Sequence, residues 1–157
     1  MIINLYQGEL FADYFQIYLR DSGHPQLPED YSDEVLARRL MAGPYSIILH
    51  TARNMKVPLR VEWHNHKPAL NFAAFQHVAE ASFACPSGEL VLAGMTDAEE
   101  AAPHLAVRAG GIGVRANFSG LDTLSEDGLE GSDHYLLQLW PQADMTEIEV
   151  LKAYPLS

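Results

Sequence analysis

Glu62, His64 and His66 fall at alternate positions, and residues two apart in an extended strand share one face. Two imidazoles and a carboxylate on one face form a ligand set for a transition metal, as in cupin-type barrels. His50 and His134, in other predicted strands, are candidates to complete it. A second reading competes. Pro68 ends the strand close to His66, and the face opposite Trp63 is the solvent face, where the same side chains are simply hydrated. His64-Asn65-His66 does not match the HNH nuclease motif, whose residues are spread over a ββα unit.

The second candidate is the segment 122–133, in which Asp122, Glu126, Asp127, Glu130 and Asp133 bring several carboxylates together. Loop carboxylates bind calcium, but the spacing is not that of an EF-hand and no helices flank it. Connecting loops are also where β-sandwiches carry function. The five acidic residues are therefore candidate contacts for a basic partner.

Other chemistry is thinner. Cys85 as a nucleophile needs a base and an orienting group, and nothing in the sequence brings His77 or His134 to it. A buried, inert thiol is the expectation. Gly110-Gly111-Ile112-Gly113 lacks the Lys-Ser/Thr of a phosphate loop and opens a strand, so it reads as a turn. Asn117-Phe118-Ser119 fits the glycosylation triplet, which has no meaning without a secretion signal.

The elements that must position these residues are mostly strands. Val61 and Trp63 alternate with polar neighbours, as do Ile112, Val114, Ala116 and Phe118. Further strands are predicted at 11–19, 45–51, 76–84, 89–93, 135–140 and 148–154. Gly23, Gly43-Pro44, Pro86-Ser87-Gly88 and Gly110-Gly111 separate them. Pro86-Ser87-Gly88 reads as a hairpin connection. The apolar run from Tyr135 to Trp140 predicts a central strand with Trp140 in the core. Ser32–Leu40 has a capping residue, early acids and late arginines, which predicts a helix. Thr96–Glu99 matches a capping box stopped by Pro103.

Composition sets the outer limits. The chain has 157 residues, 48% hydrophobic and 20% charged, which suits one globular domain spanning 1–157. It can bury roughly two-thirds of its unfolded surface, so it needs neither metal nor disulfide to fold, and no cofactor is expected. A single cysteine allows no intrachain disulfide. No signal-like or membrane-spanning run is evident, and the cytoplasm is the expected location. The net charge of −11 repels phosphate backbones and attracts basic proteins.

Gln76–Ser82, Pro86–Leu90, Gly120-Leu121-Asp122 and His134–Pro141 (HYLLQLWP) together resemble a bacterial family of small β proteins with a closing YLLQLWP strand. The resemblance spans roughly Tyr31 to Pro141 and transfers no catalytic residue. More remotely, the layout is similar to the competence-protein J group, β-sandwich inhibitors of a DNA-entry nuclease. Tyr31-Ser32-Asp33-Glu34, Gly43 and a late arginine-bearing strand carry that second resemblance. It implies inhibition of a nuclease; the expected partner is a basic protein such as a nuclease or toxin.

The expectation is a jelly-roll-like β-sandwich with one or two short helices. Its expected role is a non-catalytic protein-binding or immunity-like module. The rival expectation is a metal-binding sandwich or cupin-like metalloenzyme using Glu62, His64 and His66.

Overall fold

The alternating segments become strands whose apolar sides meet across one core. The computed structural model describes residues 2–29, 31–95 and 102–155. In chain order its strands are β1 (Ile2–Phe11), β2 (Gln16–Asp21), β3 (Leu40–Ala42), β4 (Ser46–His50), β5 (Lys56–His64) and β6 (His77–Cys85). They continue as β7 (Glu89–Gly94), β8 (His104–Ala106), β9 (Gly110–Ser119), β10 (His134–Pro141) and β11 (Glu149–Lys152). One sheet has the order β1-β5-β10-β9-β6-β11 and the other β3-β4-β2-β7-β8. All neighbours are antiparallel except β5 and β10, which run parallel. The architecture is mostly β, two sheets face to face.

Between them lies one continuous core. Val57, Leu59 and Val61 of β5, Phe83 of β6, Val114 and Phe118 of β9 and Leu137 of β10 meet Ile17, Leu19, Leu49 and Leu92. The five-stranded sheet is also covered outside, where Tyr18, Met41, Ile48, Val91 and Ala93 pack against Leu27 and Val35. That double coverage explains why every residue of β4 is buried. β10 lies between β5 and β9, as its apolar run predicts. Trp140 is buried, but on the outer face, beside the Arg115 guanidinium and the Lys67 ammonium.

Four local expectations change. The run 11–19 is not one strand: Phe11 pairs with Lys56 in one sheet and Gln16 with His50 in the other. The chain changes sheets through a 3₁₀ turn at Asp13–Phe15, with Tyr14 and Phe15 at positive φ. The predicted helix 32–40 contracts to α1 (Asp33–Ala37). Ser32 Oγ does accept from the Val35 amide, but Arg39 turns left-handed at φ 59° so that Leu40 can enter β3. Pro86–Gly88 is a crossing between sheets rather than a hairpin, since β6 pairs with β9 and β11 while β7 pairs with β2 and β8. Finally, β1 was not anticipated. It is an edge strand with a bulge between Asn4 and Tyr6, so its alternation is broken and mostly exposed. The capping box at Thr96–Glu99 lies outside the described residues.

Candidate functional site

On the outer face of the six-stranded sheet, register sets Asn4, Glu62, Gln138, Arg115, Glu80 and Glu149 in one lateral row. Its four inner members, Glu62, Gln138, Arg115 and Glu80, are all paired. Glu62 Oε1 lies 3.0 Å from His64 Nε2, and its Oε2 lies 2.8 Å from Arg60 Nε. Arg115 donates to Glu80 at 2.7 Å and to the Ala69 carbonyl, while Lys67 reaches the other Glu80 oxygen at 3.0 Å. Asn117 donates to Gln138 at 3.1 Å. The 65–76 connection thus lies over this face, held by Arg115 and by Ser119 donating to the Ala74 carbonyl.

This geometry corrects the metal expectation. Glu62 and His64 do meet, but Arg60 takes the second carboxylate oxygen. His66 is beyond the strand, in an exposed bend. His50 belongs to the other sheet, and His134 stands at the start of β10, well short of Gln138, the neighbour of Glu62. Among the described residues, no three His, Cys, Asp or Glu side chains are placed to hold a metal ion.

Asp21 organises the sheet crossing. One oxygen accepts from Ser87 Oγ at 2.5 Å, the Ser87 amide and the Cys85 thiol, and the other from the Gly23 amide and His24. Burial favours protonation of Asp21, but these bonds outweigh it and hold the carboxyl well below the usual carboxylate range. Burial, then Asp21 itself, pushes the Cys85 thiol up to about 12. Cys85 is buried, as expected, and its thiolate form is disfavoured. Ser87, Asp21 and His24 are not a catalytic triad either. The carboxylate sits between serine and histidine, where a triad needs the histidine in the middle.

The acidic segment lies where β9 ends and β10 begins, and Arg53 ties it to the 51–55 loop. Gly120 opens it at φ 70°, and a Cβ there would collide with the Ser132 backbone. Asp122, Glu126, Asp127 and Glu130 are exposed. Asp127 accepts from Ser125 Oγ at 2.6 Å and from the Leu129 amide at 3.0 Å, and these bonds lower its affinity for a proton. Its charge is therefore firmly ionised.

Asp133 is different. It is 0% exposed, accepting from Arg53 Nε and from the Tyr135 hydroxyl, each at 2.5 Å. Tyr135 in turn accepts from the Ala52 amide at 2.8 Å, and Arg53 donates to the Leu129 carbonyl at 3.3 Å. Burial, and then Asp133, raise the Tyr135 hydroxyl well above its ordinary value, against the opposing Ala52 bond. Asp133 thus cannot touch a partner; it anchors the loop. Asp133 shares the inward parity of Tyr135, Leu137 and Leu139, but it precedes the apolar run, so parity alone did not mark it as buried. Nothing in the sequence pointed to Arg53 as its counter-ion.

No family model and no curated protein matches this sequence. Solved structures do. The fold is similar to that of ComJ. ComJ, from Bacillus subtilis, is an inhibitor of the DNA-degrading activity of NucA; it aligns with a TM-score of 0.71 and 15% identity, over 90% of this chain and 99% of ComJ. A second structure, described as crocagin biosynthetic gene J, aligns with a TM-score of 0.53 and 19% identity, over 90% of this chain and 95% of its own. The remote resemblance to the competence-protein J group therefore holds at the level of fold. Among the described residues no helix is long and apolar enough to cross a membrane.

Proposed function

We propose that this protein is a non-catalytic, inhibitor-like module that binds a basic protein such as a nuclease. The observation that carries the reading is the 122–133 loop. It presents Asp122, Glu126, Asp127 and Glu130 to solvent on a base fixed by Arg53, Asp133 and Tyr135. A pre-ordered acidic surface loses little entropy on binding and steers a cationic partner toward it. The net charge of −11 adds to that field. The ComJ-like fold supports an inhibitor of a DNA-degrading enzyme over other acidic binders.

The test is DNA degradation by purified NucA, with and without this protein, at low and moderate salt. Inhibition that weakens as salt rises is expected. An unchanged nuclease rate in both salts, with no complex on a sizing column, would sink the reading.

A further inference from the structure

At the end of the sandwich that carries the acidic loop, the turn between β1 and β2 shows an unusual surface. Tyr14 is 68% exposed and Phe15 47%, and both hold positive φ, at 56° and 63°. Bulky side chains rarely adopt that conformation, and two in succession carry a cost that glycine would avoid. The turn is nevertheless rigidly held. The Ala12 amide donates to the Met55 carbonyl, the Tyr14 amide to Asn54 Oδ1 and the Thr51 amide to the Phe15 carbonyl, all within 2.9–3.0 Å. The backbone is tied down while both rings stay largely in water. Core packing gives no reason for aromatics here, and strained, exposed residues of this kind cluster at binding sites.

The same 51–55 loop joins this turn to the acidic one, through Arg53 bonding Asp133 and the Leu129 carbonyl. Met55 in the joining loop and Leu129 in the acidic one are also exposed apolar side chains. The loops 12–15, 51–55 and 120–133 contain a single lysine or arginine, Arg53, which is buried in its ion pair, and the next cation, exposed Lys56, stands opposite Phe11 on β5. Exposed aromatics beside a loop rich in carboxylates suit a binding hot spot matched to a cationic surface.

We infer that Tyr14 and Phe15 form an aromatic anchor that seats in an apolar recess on a basic protein, while the neighbouring acidic loop pairs with the cations around that recess. This rests on the reading of the protein as a binder of basic partners. It adds the part of the surface that holds the partner once charge has steered it in.

Two sets of variants separate anchor from steering, with NucA as the probe. Tyr14→Gly and Phe15→Gly accept the turn's φ without strain. They are expected to unfold at the same or a higher temperature, yet to bind NucA at least about tenfold more weakly, with an unchanged salt dependence. Asp122→Asn/Glu126→Gln/Glu130→Gln is expected to bind more weakly and to flatten the salt dependence. Glycine variants that bind like the parent, while the amide variants weaken, overturn the anchor and leave the acidic reading standing. Glycine variants that melt lower also overturn it, because the rings would then be holding the turn. A parent protein that does not bind NucA overturns both.

Discussion

Arg53 places its Nε 2.5 Å from the fully buried Asp133 Oδ1, pinning the acidic loop to the loop between β4 and β5. Removing one partner leaves the other charge buried and uncompensated, which costs about 3–5 kcal/mol. Asp133→Asn and Arg53→Met are each expected to lose stability of that order in urea unfolding. The double variant is expected to lose less than the two losses added together, because neither orphaned charge remains. Strict additivity across the cycle would contradict a coupled pair.

The exposed acids behave otherwise. Asp122, Glu126 and Glu130 face water, and replacing all three with amides is expected to change unfolding free energy by only about 0.5 kcal/mol per site or less. Asp127 is an exception within the loop, because it accepts from Ser125 Oγ and the Leu129 amide. Asp127→Ala should expose the 122–133 segment to proteases, whereas Glu126→Gln should not. Limited proteolysis followed by mass mapping of the first cuts checks this. Equal cutting in both variants would refute the assigned role.

Much of the sandwich was legible because it depends on period-two patterning. β9 and β10 present Val114, Ala116, Leu137 and Leu139 inward, as the sequence implies. What stayed hidden depends on where the chain changes sheets. Pro86–Gly88 has hairpin chemistry, yet Asp21 gathers Ser87 and Cys85 from another strand to turn it into a crossing. The break after Phe11 was invisible because Tyr14 and Phe15 are poor turn formers by propensity. At the candidate site, the exposed carboxylates could be named in advance. The fate of Asp133 could not, since its partner Arg53 is eighty residues away in sequence.

Cys85 provides a check on the sheet crossing. Its thiol is buried, donates to Asp21 at 3.2 Å and is raised to about 12, so thiolate is scarce at neutral pH. Iodoacetamide is expected to leave it unmodified in the native protein and to label it fully in denaturant. Asp21→Asn, which loses the charge that gathers the corner, is expected to make labelling in native buffer measurably faster. Rapid labelling of the parent protein would contradict the closed crossing.

His50 gives the fold a predictable acid sensitivity. It is buried at the end of β4, and burial lowers its pKa from 6.5 to about 4. The folded protein therefore keeps it neutral, whereas the unfolded chain takes up a proton below about pH 6.5. In that window the unfolded state binds more protons, so stability rises with pH and falls on acidification. The contribution is fully present above about pH 6.5 and is lost progressively as pH drops to about 4, by at most about 3 kcal/mol. His77, lowered in the same direction chiefly by burial, adds to the slope. Urea unfolding across that window is expected to show this decline, and His50→Phe is expected to flatten it while leaving the His77 share. An unchanged slope in His50→Phe would mean that the imidazole is not held neutral in the folded state.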